Sequence, residues 1–230
     1  MPSLTRRVVA EGVGTFALVF FGCAAVLVNV YPGAKYDLLG IALVHAVVLG
    51  VMITATMNIS GGHLNPAVTI GLWSGRRIDG RTAAAYVAVQ LLAGVLAAFA
   101  VRLLVPANVS RIGTLGTPAI ASTMTLGAAI ALEAVLTFFL VFAVYGTAVA
   151  PTAPKVGGFG IGLVLFFDIM IGGPLTGAAM NPARAFGPAL VSGTWFAQVV
   201  WWVGPILGGV VAAQVWERVL LAEKSASGKP

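Results

Sequence analysis

The chain has 230 residues, 59% of them hydrophobic and only 9% charged, with a formal net charge of +6. Soluble domains carry about 25% charged residues, so this composition cannot cover a water-facing surface and points to a polytopic membrane protein. The apolar content excludes disorder, the single Cys23 excludes a disulfide scaffold, and one Cys with two His is too few for a zinc or haem site. A bilayer core of roughly 30 Å takes about 20 apolar residues per helix. In chain order the sequence predicts spans at 8–29 and 39–58, a short apolar stretch at 66–74, and a span at 82–105. A Gly/Thr/Ser/Pro linker follows at 106–123, then spans at 124–149 and 157–175, a second short stretch at 182–191, and a last span at 196–221. The first span is too long for a signal-sequence core and is kept as a helix. Residues 222–230 are expected to form a disordered tail.

The short stretches cannot cross the bilayer. Each follows a Gly-containing loop and opens on Asn-Pro, with proline at the first helical position. Such pieces are expected as re-entrant half-helices, because irregular backbone at membrane depth must line a cavity or be buried. The expected architecture is therefore an all-α membrane protein of six transmembrane helices plus two re-entrant half-helices, in one domain covering 1–230.

Basic residues set the orientation. Arg6, Arg7, Arg76, Arg77, Arg81, Lys155, Arg218, Lys224 and Lys229 fall on one side, and Lys35, Arg102 and Arg111 on the other. This places both termini in the cytoplasm, and the positive charge is read as facing anionic lipid rather than nucleic acid.

The chain also resembles itself. Glu11 and Thr15-Phe16 in the first span match Glu133 and Thr137-Phe138 in the fourth. Asn65-Pro66-Ala67 matches Asn181-Pro182-Ala183. Each unit, about 8–105 and 124–221, holds three spans and one half-span, so the odd count inverts the second copy in the membrane. The two Asn-Pro-Ala turns then enter from opposite faces and meet near the midplane.

Two Asn-Pro-Ala motifs in an inverted repeat, Arg184 after the second, and a Glu in spans one and four resemble the aquaporin (major intrinsic protein) family over about residues 8 to 216. The resemblance implies a passive water channel excluding protons and ions, with no catalytic residues, no cofactor and no metal, usually a homotetramer in the lipid bilayer. Half-helix N-termini carry partial positive charge toward the centre, and Asn65 and Asn181 can donate to a passing oxygen, which breaks the proton-hopping chain. The plainer reading makes each Asn a helix cap only. Glu11 and Glu133 are expected to accept hydrogen bonds from the unwound backbone before each half-helix, with a proton relay as the alternative. His63 is expected to brace the half-helices or line the pore. Asp168, inside span five, has no repeat partner and no assigned role.

The resemblance places the selectivity filter on His45, Ile169, Ala178 and Arg184. This quartet departs from the Phe/His/Cys/Arg of strict animal water channels and resembles the His/Ile/small/Arg type of plant tonoplast members, some of which pass ammonia and peroxide. Glycerol channels of the family carry Asp and Lys where this chain has Ala185 and Ala189, which argues against glycerol as the main cargo. The alternatives are a broader pore for ammonia, peroxide or small polyols and, more remotely, an alternating-access transporter. Small residues at Gly94/Ala98, Gly158/Gly162 and Gly204/Gly208 are expected to be helix-packing contacts. Short termini without targeting extensions suggest a prokaryotic plasma membrane, while the filter resemblance leaves a vacuolar location open.

Overall fold

The computed structural model describes residues 2–31, 33–34, 37–154 and 156–221. The expected tail, 222–230, lies outside the described residues, as do Lys35, Lys155, Lys224 and Lys229 of the orientation count. The described chain is helical throughout: α1 Leu4–Val28, α2 Asp37–Ser60, α3 Pro66–Ser74, α4 Gly80–Leu104, α5 Ala107–Ile112, α6 Leu126–Val144, α7 Phe159–Thr176, α8 Pro182–Ser192 and α9 Val200–Val215. Five helix starts carry side-chain caps that satisfy otherwise orphaned amides. Ser3, Asp79 and Thr125 accept from the N–H three residues on at α1, α4 and α6, and Asn65 and Asn181 cap α3 and α8 with proline following. Gly177 and Gly193 close α7 and α8 in the left-handed conformation, where a Cβ would be strained.

Five helices are long and apolar enough to cross a membrane: α1, α2, α4, α6 continued by a π-helical turn to Val149, and α7. The last expected span differs. Residues 196–199 form a turn with Ala197 at φ 56°, and α9 has 16 residues, extended by a π-helical turn over Trp216–Leu220. The linker also differs from expectation, holding α5 and a 3₁₀ turn at Thr114–Gly116. Its polar composition hides two apolar anchors, Val109 and Leu115, which are buried against Val19, Cys23 and Val101.

The bundle is apolar outside. Leu39, Leu43, Val47 and Val51 expose one face of α2, and Leu92, Leu96, Phe99 and Leu103 one face of α4. Those spacings trace single helix stripes that lipid would cover. Packing pairs α1 with α4 and α2, α6 with α9 and α7, and α2 with α7, while α8 lies on α4 and α3 on α9. The close crossings need glycine. A Cβ at Gly94 would stand 2.6 Å from the Ala183 carbonyl oxygen of α8, and one at Gly209 would stand 2.9 Å from the Ala67 carbonyl oxygen of α3. At Gly208 it would strike the Ala134 carbonyl, and at Gly158 that of Gly50. These crossings hold the two short helices end to end inside the bundle.

Candidate functional site

The N-termini of α3 and α8 meet through their capping asparagines. Asn65 Oδ1 accepts from Ala67 N at 2.8 Å while its Nδ2 donates to the Met180 carbonyl at 2.8 Å. Asn181 Oδ1 accepts from Ala183 N at 3.0 Å and Arg184 N at 3.3 Å, while its Nδ2 donates to the Leu64 carbonyl at 3.0 Å. Each asparagine thus caps its own helix and clamps the residue before the other. One amide hydrogen per Asn is used in the clamp and one remains. Leu64 and Met180 hold φ of 53° and 49°, a costly conformation for branched or long side chains that turns the adjoining carbonyls.

Two buried carboxylates hold those strained turns. Glu11 Oε1 accepts from Ser60 Oγ at 2.6 Å and His63 N at 2.9 Å, and Oε2 from Leu64 N at 2.7 Å and Gln90 Nε2 at 2.8 Å. Glu133 Oε1 accepts from Thr176 Oγ1 at 2.7 Å and Ala179 N at 3.0 Å, and Oε2 from Met180 N at 2.7 Å. The supporting residues Ser60 and Thr176 escaped the sequence reading, yet they share the separation of Asn65 and Asn181. Tyr86 escaped it too, as did the bracing role of Trp201. Tyr86 Oη donates to the Ser60 carbonyl at 2.8 Å, and Trp201 Nε1 to that of Thr176 at 2.9 Å. An aromatic N–H or O–H buried at membrane depth must find such an acceptor.

His63 is buried, with Nδ1 3.1 Å from Thr69 Oγ1 and its ring edge-on to Tyr86 at 5.1 Å. His45 lies on the other side of the asparagine pair. Its Nδ1 is 2.8 Å from the Ile41 carbonyl and its Nε2 is 3.4 Å from Arg184 Nε. A carbonyl only accepts and a guanidinium only donates, so the proton sits on Nδ1 and Nε2 receives the Arg184 N–H. Arg184 Nη1 donates to the Gly116 carbonyl at 2.8 Å. That carbonyl is delivered by a turn with Thr114, Leu115 and Gly116 at φ 46°, 54° and 70°. Gly22 leaves the space that the His45 ring occupies, since a Cβ there would stand 2.6 Å from Nε2.

These groups border one narrow cavity. Arg184, His45, Ala178, Asn181, Asn65 and His63 edge it, and Leu18, Leu49, Ile53, Val68, Leu140 and Ile161 are among its apolar lining. It offers ≈ 20 Å³ to the centres of water molecules, room for about one at a time. His63 also borders a wider vestibule of ≈ 800 Å³ beside Arg7, Arg76, Arg77 and Asp79. Three of the four expected filter residues are therefore brought together. Ile169 is buried one helical turn from the cavity-lining Leu165, in the same apolar cluster as Ala178. Asp168, 2% exposed, has one carboxylate oxygen without a hydrogen-bond partner among the described residues.

An all-α, multi-pass bundle around a one-molecule-wide path defines a membrane channel. The chain matches the major intrinsic protein family over residues 1–216 and belongs to that family. It is 43% identical to Aquaporin TIP4-4 of Zea mays, across 95% of this chain and 88% of the relative. It is 40% identical to Probable aquaporin TIP4-1 of Oryza sativa subsp. japonica, across 96% and 89%. The X-ray structure of the aquaglyceroporin from Plasmodium falciparum superposes with a TM-score of 0.86 at 25% identity, covering 97% of this chain and 99% of that one. Aquaporins of this family are passive channels and not enzymes. The relatives correct the expected location: they are plant aquaporins of the tonoplast type, so the expectation of a prokaryotic plasma membrane is overturned.

Proposed function

We propose that water crosses this protein in single file along the cavity between Arg184 and His63, turning at the paired asparagines. The chain is a water-selective channel of its family. The reciprocal Asn65 and Asn181 clamp carries the reading of the path, because it puts two helix N-termini on one constriction. A water accepting from both free amide hydrogens must point its own hydrogens outward, which interrupts proton hopping, and the dipoles repel cations. His45, Ala178 and Arg184 act as the selectivity filter, with Arg184 as the fixed positive charge. Ile169, packed with Ala178 and Leu165, is assigned to this filter through the family resemblance. The small Ala178 side chain favours a filter wide enough for ammonia or peroxide besides water.

The architecture behind this path is six spans and two half-helices in an inverted repeat, about 8–105 and 124–221. It is supported by the matched packing pairs, by the equivalent carboxylate bonds, and by Tyr86 and Trp201 on corresponding carbonyls. Four copies assemble as a homotetramer in the bilayer, with no nucleic-acid partner.

Stopped-flow light scattering on proteoliposomes tests the function. Water flux should rise well above that of empty liposomes without saturating. Saturable, gradient-coupled uptake would instead indicate a transporter.

A further inference from the structure

At the end of α4 away from the vestibule, a cleft of ≈ 260 Å³ opens between α4, α5 and the C-terminal end of α8. Arg102, Ser110, Arg111, Thr114, Ser192 and Thr194 line it, and no carboxylate does. Arg102 Nη1 donates to the Val191 carbonyl at 3.1 Å, which fixes the plane of its guanidinium. Its other N–H groups, and all of those of Arg111, have no partner among the described residues. Thr194 Oγ1 accepts from Ser192 Oγ at 3.0 Å, so its own hydrogen is left to give. Two guanidinium forks and the Thr194 hydroxyl, without a competing acid, are the donor set that a phosphate group takes up.

The surroundings indicate what carries the phosphate. Leu103, Leu104 and Ile112 beside the cleft are 82%, 72% and 71% exposed. Leu103 and Leu104 end a helix long enough to cross the membrane, so the cleft lies where a headgroup meets acyl chains. We propose that this cleft binds a phosphomonoester group, presented by a membrane lipid. Its wall includes Thr114 and Leu115, two residues of the strained turn whose Gly116 carbonyl holds Arg184. An occupied cleft therefore braces the turn behind that arginine. The binding site itself stands independently of the assigned water path.

Native mass spectrometry of the full chain in detergent, titrated with phosphatidic acid and separately with phosphatidylcholine, reads this directly. Phosphatidic acid should bind at least tenfold more tightly to the unaltered protein than to the Arg102→Gln/Arg111→Gln variant, with no such difference for phosphatidylcholine. Equal retention of phosphatidic acid by the variant overturns the site. Displacement of the lipid by micromolar inorganic phosphate overturns the lipid assignment, leaving a free anion on the same groups. Should the double variant fail to elute as one species, Arg111→Gln alone serves, since that side chain is exposed and has no partner among the described residues. It should weaken phosphatidic acid severalfold, and unchanged binding counts against the proposal.

Discussion

A buried carboxylate without a counter-ion is stabilised where donors converge on it, and Glu133 collects three. Glu133→Ala should orphan the Thr176 hydroxyl and the amides of Ala179 and Met180, at about 1–3 kcal/mol each. A large drop in thermal midpoint in detergent is expected, and Glu133→Gln, which keeps one accepting oxygen, should fall between. A variant that melts like the unaltered protein would leave the brace without support. His45→Phe removes the acceptor for Arg184 Nε and adds bulk beside Gly22, so liposome flux of ammonia and peroxide should fall more than that of water. Equal loss for all solutes would count against His45 as a filter residue. Outside the membrane, Asp79 accepts from Thr82 N at 2.9 Å and Thr82 Oγ1 at 2.7 Å, which holds its carboxyl below the ordinary carboxylate value. With the folded pKa depressed, the cap's contribution is complete above the unfolded pKa and is lost as pH falls through the folded one. The gap in thermal midpoint between the unaltered protein and Asp79→Ala should therefore be constant near neutral pH and close in acid. A gap that persists in acid would show that the charge does not matter.

Among the elements, the glycine crossings decide how deeply the short helices sit. Gly208→Val places side-chain atoms where the Ala134 backbone already lies and should prevent α9 from closing on α6. Gly127, in the first turn of α6, has nothing within 4 Å of a built Cβ, so Gly127→Ala should be neutral or stabilise by about 0.5–1 kcal/mol. Comparing the yields and thermal midpoints of the two separates backbone approach from a general intolerance of side chains at glycine. The Gly204/Gly208 spacing was legible in the sequence as a packing face. Which backbone it meets was not, since the Ala134 carbonyl comes from a helix some seventy positions away. The 106–123 stretch shows the converse. Its polar composition reads as a linker, but Leu115 reaches a buried cluster and makes the turn that presents Gly116 to Arg184.

For the whole molecule, proton exclusion can be divided between the filter charge and the half-helix dipoles. Arg184→Val combined with His45→Ala removes the fixed cation and its partner but leaves the Asn65 and Asn181 clamp. Proton leak in pH-loaded proteoliposomes should rise while water flux persists. Unchanged exclusion would assign that role to the dipoles.

The membrane setting, the first five long helices, the two short ones and the duplicated Asn-Pro-Ala turns were present in the linear chain, because hydropathy, proline and capping residues act over a few neighbours. So was the pairing of Glu11 with Glu133, through their equivalent places. Only the tertiary structure decided what each carboxylate accepts, that each asparagine clamps the other's turn, and that Gly116 holds Arg184. Those bonds join residues from 43 to 117 positions apart, and their partners are mostly backbone groups, which every residue possesses and no sequence pattern marks. Ile169, counted onto the filter from the motif, packs in the same buried cluster as Ala178 and Leu165, which border the cavity.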